Sequence, residues 1–343
     1  MADRPTERFK DCINNYICSG DGLPPDVAAI GELCKKIKSR DRISLIKHLT
    51  RRLYYIARDD STAFSDVATC IHFAAKRGHT HLIDELVCGL TEDEKYSLLM
   101  MNPEYFQNSS VIEIAARNGN IAWVQEKLIK QFLKERYKID IIGKALVIVC
   151  QNNDPEAVRG LLDAIPTSRK LEVLTEYKST DEYFCLHQAA WKGLSLVAKE
   201  LLQCVSEDAG EDAVLSLLYC RNRKTVASST YDQTALHLAC GASGEPHSHT
   251  VRCLLEGLCE SSISHLLQQK DHDGNTAMHH AARFGRPDLV RALGLDRLLL
   301  EGGDLVCRVM NSEGNSAYDM AYEKSNLWAL EYFEKIISDA RGE

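Results

Sequence analysis

Residues 271–293 read DHDGNTAMHHAARFGRPDLVRAL, and each position has a mechanical job in one helix-turn-helix unit. Asp273 and Gly274 form a tight turn in which glycine supplies positive φ, and Thr276 caps a helix that begins at Ala277. Met278, Ala281 and Ala282 face inward, and the paired alanines let a like helix approach closely. Gly285 stops the first helix, and Pro287 suits the first turn of the second. Leu289, Val290 and Leu293 then recur at the spacing of a buried helical face. One such unit cannot bury its own core, so the reading requires neighbours of the same kind.

The neighbours are present. Thr69 opens TCIHFAAKRGHTHLIDEL, Ser110 opens SVIEIAARNGNIAWVQEKL, and Lys144 stands at the same place in KALVIVCQNNDPEAVRGLL, where the apolar spacing survives but the opening motif has faded. Phe184 opens FCLHQAAWKGLSLVAKELL, Thr234 opens TALHLACGASGEPHSHTVRCLL, and Ser316 opens SAYDMAYEKSNLWALEYF. With Thr276 that makes seven units, and Leu45, Ile46 and Leu49 fit a degenerate eighth that caps the N-terminal end. The intervals between openers are 41, 34, 40, 50, 42 and 40 residues. The long connections carry short apolar motifs of their own, TEDEKYSLLMM, SRKLEVLTEY, EDAVLSLLYC and SSISHLLQQK, which predict an added helical turn or two in each. Thr91 followed by Glu94 resembles a capping box and favours helix there. Arg221–Tyr231, in the longest connection, is polar and aperiodic and predicts an exposed, mobile finger.

TALH at Thr234–His237 and DGNTAMHHAARFG at Asp273–Gly285 resemble the ankyrin repeat family, and the resemblance covers roughly residues 60–335. It implies an all-α solenoid of about seven helix-turn-helix repeats, here with elongated, partly helical fingers. The expected organisation is a flexible lead-in over 1–25, a helical N-terminal cap over 26–60 and the ankyrin repeat domain over 61–343. The family binds other proteins through a concave groove and the fingers. The implied function is therefore a non-enzymatic adaptor or scaffold. An ankyrin-repeat effector of a host-associated microbe, engaging a host protein, is the alternative.

Composition agrees with a folded, soluble protein. Hydrophobic residues make up 45% and charged residues 26%, and eight prolines are too few for long disordered tracts. No apolar run is long enough to span a membrane, and MADRPTERFKDC lacks the core of a signal peptide, so the expected location is the cytoplasm. The 13 cysteines form no CxxC pair, and Cys150 and Cys240 sit where a small buried residue is wanted, so they read as reduced core thiols. The net charge of −8 disfavours nucleic acid as a partner. Against that total, Lys35–Arg58 holds nine basic residues and one acid, a local +8 that suits the solvated face of an end cap and could also meet an acidic protein, an anionic membrane surface or, through KKIKSR, an import receptor.

Chemistry has little footing. His72, His187, His237 and His279 each hold the fourth position of an opener, and identical placement in stacked units predicts a ring nitrogen satisfying a buried carbonyl. His247 and His249 near Cys240 and Cys253 match no zinc spacing and read as a solvated loop, and no phosphate-binding glycine motif occurs. No cofactor, metal or catalytic residue is expected. The resemblance instead points to the two residues between the small pair and the stop position, which face the groove in this family. They are Lys76 and Arg77, Arg117 and Asn118, Gln151 and Asn152, Trp191 and Lys192, Arg283 and Phe284, and Glu323 and Lys324. Six are basic and one is acidic, and Trp191 and Phe284 are aromatic where the fold needs no apolar side chain. The expected partner is a protein or peptide with acidic residues and one or two apolar anchors.

Overall fold

The computed structural model describes residues 5–18, 27–36, 70–100, 109–125, 135–177, 183–222, 232–242, 247–284, 287–293 and 308–341. Among these the architecture is all-α and holds no strand; an isolated bridge joins Met310 and Ser316. Two compact units divide the chain, residues 1–148 and 149–343.

In the first unit, helices α1 (Pro5–Cys18) and α2 (Val27–Lys36) precede the pair α3 (Cys70–Lys76) and α4 (Thr80–Val87). α1 packs on α2 and α3, and α2 packs on α4. The stretch 1–25 thus contains a regular helix whose Phe9 and Ile13 are fully buried. α5 (Glu92–Leu99) follows, then α6 (Val111–Arg117), which packs on α3, and the short α7 (Ile121–Trp123), which is tied to α4 by the Trp123 indole N–H donating to Asp84 at 2.9 Å. The unit boundary falls within α8 (Glu135–Gln151). α8 runs straight through Lys144, so no cap or helix start lies there, although its far end keeps the expected register.

In the second unit, α9 (Pro155–Asp163) and α10 (Thr167–Glu176) lead to the pair α11 (Cys185–Lys192) and α12 (Ser195–Leu218), then α13 (Ala235–Gly241) with α14 (His247–Leu255), followed by α15 (Glu260–Leu267). α16 (Ala277–Arg283) pairs with α17 (Pro287–Ala292), and α18 (Ala317–Glu323) with α19 (Leu327–Arg341). Two layers result. The first helices stack in the order α11, α13, α16, α18, and the second helices in the order α9, α12, α14, α17, α19.

Short side chains set the spacing of the first layer. Ala189, Ala190, Ala239, Cys240, Ala281, Ala282 and Ala321 are all fully buried, as are the equivalent Ala74, Ala75, Ala115 and Ala116 of the first unit. The turn that closes the first helix is built one way in five of the repeats, whereas the helix Ala235–Gly241 ends on an extended Ala242. Gly78, Gly119, Asn153, Gly193 and Ser325 hold positive φ of 74°, 78°, 58°, 69° and 53° at the stop position. The next N–H reaches back to the carbonyl of the first small residue, at 2.9 Å from His79 to Ala74 and 2.8 Å from Leu194 to Ala189. That is the Schellman closure of a helix end, and it explains why glycine recurs there. Gly285 lies outside the described residues.

The long connections carry a third helix. The four apolar motifs become α5, α10, the end of α12 and α15, burying Leu98 and Leu99, Val173 and Leu174, Leu217 and Leu218, and Ile263, Leu266 and Leu267. The Thr91–Glu94 capping box forms as its spacing predicts, with the Thr91 N–H donating to the Glu94 carboxylate at 2.9 Å. In α12 the second and third helices run on from one another across Gly210, whose φ of 75° and ψ of −169° turn the chain. α10 packs on α12, and the ion pair of Lys170 with Asp208 at 2.5 Å joins them, the lysine side chain only 9% exposed.

The longest connection has a narrow base. Arg221 and Asn222, assigned from sequence to the exposed finger, are anchored instead. The Arg221 guanidinium donates to the carbonyls of Asp232 (2.8 Å) and Lys270 (2.7 Å) and to the Gln269 side chain (2.8 Å), and Asn222 is buried and exchanges backbone hydrogen bonds with Asp232 and Gln233. A local reading of polarity cannot see that carbonyls from the next turn converge on Arg221. Residues 223–231 lie outside the described residues.

Because the layers depend on close approach of small residues, Ala281→Phe should overpack the α13–α16–α18 contact and destabilise the protein by about 1–3 kcal/mol. Hydrogen exchange should rise most in the flanking helix pairs, since contacts are between nearest neighbours. Uniform loosening of the whole chain would contradict the layered reading.

Candidate functional site

The site positions are set by a ladder of buried histidines that holds successive units together. Thr276 starts α16 as its cap, and its N–H and hydroxyl both donate to His279 Nδ1, at 3.1 and 2.8 Å. The other ring nitrogen, Nε2–H, donates to the Asn315 carbonyl of the following turn at 3.1 Å. His237 repeats this, with Nδ1 accepting from Thr234 and Nε2–H donating to the carbonyls of Gln269 (3.0 Å) and Asn275 (3.1 Å). His187 Nε2 reaches the carbonyls of Cys220 and Gln233, both at 3.1 Å. These rings are structural, as their placement in the openers predicts. His72 is buried likewise.

The turns that accept these bonds repeat as well. Asp271 N–H donates to Asn275 at 2.8 Å and Asn311 N–H to Asn315 at 2.9 Å, and the side-chain oxygen of each first residue accepts two backbone N–H groups across its own turn. Gly274 is required in the first, because a Cβ there would stand 2.7 Å from the Ser312 nitrogen of the next turn. Asp271 Oδ2 accepts from His280 at 2.8 Å and from Gln233 at 3.2 Å. Burial pushes its carboxyl up, but the His280 bond and its electrostatic pull, with the Gln233 and Asn275 donors, outweigh that and hold it down at about 2. Burial, then the neighbouring His280, drives His237 down to about 3, and burial also lowers His279.

On this frame the expected binding residues come out at the first-helix ends. In the first unit, Lys76 and Arg77 end α3 and Arg117 and Asn118 end α6, with Arg77 half-buried over the Phe73 ring at 5.7 Å. In the second unit, Lys192 Nζ donates to the Gln151 carbonyl at 3.2 Å, which brings Gln151 and Asn152 beside Trp191 and Lys192. Arg283 and Phe284 end α16, the guanidinium 6.0 Å from the ring, and Glu323 and Lys324 end α18. Gln151 is half-buried and the rest of this set is exposed. Trp191 is 45% and Phe284 49% exposed, so neither is tucked away as satellite core.

Two features escaped the sequence reading. Tyr322, at the position of the second small residue, is 71% exposed because no described helix stacks beyond α18 there. His247 is a buried helix residue rather than part of a solvated loop, and its Nε2–H donates to the Trp191 carbonyl at 2.9 Å. A loop with three surplus residues gave no sign that the helix would start at this histidine. Among the described residues no cluster of histidine, cysteine and carboxylate side chains suits a metal, and no helix is long and apolar enough to cross a membrane. Cys150 and Cys240 are buried thiols outside any disulfide. Of the basic run 35–58 only Lys35 and Lys36 are described, both exposed, with Lys35 paired to Glu32 at 2.8 Å.

Stacked helix pairs with small residues at their contacts, tied turn to turn by a histidine at a fixed position, define a helical repeat protein. Residues 201–298 match the family model for ankyrin repeats in three copies, and this part of the chain belongs to the ankyrin repeat family. Ankyrin repeats point to a protein-binding module. No curated protein matches the chain.

The neutral ladder makes stability pH-dependent. Above about 6.5 His237 is neutral both folded and unfolded; below it the unfolded chain takes up a proton that the folded ring, with its value near 3, refuses. Stability should fall as pH drops from about 6.5 toward 3, and Asp271 should add a further loss between about 3.8 and 2. The urea midpoint measured across this range should decline, and His237→Gln should lower it at neutral pH while flattening its slope below pH 6.5.

Proposed function

We propose that the protein is a non-enzymatic ankyrin-repeat adaptor or scaffold that captures a partner protein or peptide at its first-helix ends. The observation that carries this reading is the exposure of Trp191 and Phe284 beside Lys192 and Arg283. Large aromatics cost solubility when left bare, and an aromatic beside an arginine is the pairing that tends to concentrate binding energy. α11 and α16 are separated by the single helix α13, so the two rings lie roughly 16–20 Å apart at ordinary helix spacing. An extended segment of about five or six residues spans that distance. The partner is therefore a peptide with acidic residues between or beside two apolar anchors.

The same reading takes the repeat domain to be residues 61–343 with seven repeats, preceded by a cap over 26–60 and a lead-in over 1–25. Left-handed turns at Gly78, Gly119, Asn153, Gly193 and Ser325 support the repeat register, including the unit at Lys144 whose opening motif is absent. Residence in the cytoplasm is supported by the lack of a disulfide among the nine cysteines whose side chains are described.

Affinity capture with the full chain, read by mass spectrometry, tests the face. Trp191→Ala with Arg283→Ala should abolish or greatly weaken partner recovery and flatten its salt dependence, with the melting temperature nearly unchanged. A large fall in melting temperature with recovery intact would show these side chains to be packing.

A further inference from the structure

The second helices carry a surface of their own. Between α12, α14 and α17 runs a groove of about 680 Å³ whose sides include Leu196, Lys199, Arg252, Glu256 and Arg291, over a floor in which Leu255 and Ile263 are buried. Leu196, 63% exposed, stands at its edge. Three cations face one carboxylate here, in a chain whose net charge is −8.

The three cations are held in ways that leave them available. Lys199 pairs with Glu256 at 3.3 Å, but both side chains are more than half exposed, and such a pair is weak and easily exchanged for another carboxylate. The Arg291 guanidinium lies over the Trp328 ring at 4.5 Å. Stacking fixes the guanidinium plane through its face and leaves its N–H edge for an acceptor. Arg252 is exposed and has no ion pair among the described residues, and the exposed His249 lines the same groove. An oriented arginine edge, an unpaired arginine and an exchangeable lysine around an apolar floor match carboxylates flanking an aliphatic side chain.

We infer that this groove is a second interaction surface, which takes an acidic segment of a partner protein carrying an aliphatic residue that packs against Leu196. It lies on helices other than those that present Trp191 and Phe284, so the two surfaces can fail separately.

The test is a fluorescence anisotropy titration of the full chain at low salt with a labelled glutamate-rich peptide bearing a central leucine. Saturable binding is expected. Arg252→Glu should weaken it by about tenfold or more and Arg252→Lys much less, since a point charge keeps attraction but loses the fork. Leu196→Ser should weaken binding of the leucine peptide but not of an all-glutamate peptide. Trp191→Ala with Arg283→Ala should leave it unchanged, and melting curves verify that each variant is folded. The proposal is overturned if no saturable binding is seen, if binding survives Arg252→Glu but is lost in the Trp191 and Arg283 variant, or if phosphatidylserine vesicles bind at this groove while the peptide does not.

Discussion

The repeats of His237 and His279 depend on a neutral imidazole used at both ends. Nδ1 accepts from the threonine that caps its own helix, and Nε2–H satisfies carbonyls of the turn that follows, as His237 does with Gln269 and Asn275. Unpaired buried carbonyls are costly, so each ring fixes helix start and inter-repeat register in one step. The arrangement works only while the ring is uncharged. A protonated Nδ1 would face the cap with a donor instead of an acceptor, and burial holds His237 and His279 away from that state.

The third helices change what a repeat is in this chain. A repeat with only two helices and a turn presents few apolar side chains outside its stack, whereas α5, α10, the end of α12 and α15 each bury further leucines, isoleucines or valines. This widens the layer and lengthens the interval between openers beyond the roughly 33 residues of an ordinary ankyrin unit. It also uses a glycine to turn α12 without a loop, at Gly210. The stretch that matches ankyrin repeats, residues 201–298, contains TALH and DGNTAMHHAARFG.

Two surfaces of different character emerge from one layered arrangement. First-helix ends present aromatic rings beside basic side chains, because the turn that closes each helix leaves the last two residues outside the contact between layers. Second helices present a groove in which cations surround an apolar floor. Both run against the acidic total of the chain, and both owe their charge to side chains that the stacking does not need. The aromatic face has exposed rings, and the groove has an arginine stacked on Trp328.

Much of this was legible in the chain itself. The openers, the small pair, the stop position and the Thr91–Glu94 capping box are local patterns, and local patterns are what hydrogen bonding within a turn reads. The structural role of the histidines followed from their identical placement. Other matters had no local signature. Whether Trp191 and Phe284 would pack or stand free depended on what neighbouring elements covered. Arg221 is drawn from an apparently loose stretch into place by carbonyls across a connection, and His247 is buried because the Trp191 carbonyl lies within its reach. Lys144 illustrates both sides: the stop at Asn153 was in register, yet nothing in the nearby residues showed that the helix would begin at Glu135. Periodicity determines which face of a helix is apolar, but exposure and ion pairing are properties of distances between elements, and only the packed structure decides those.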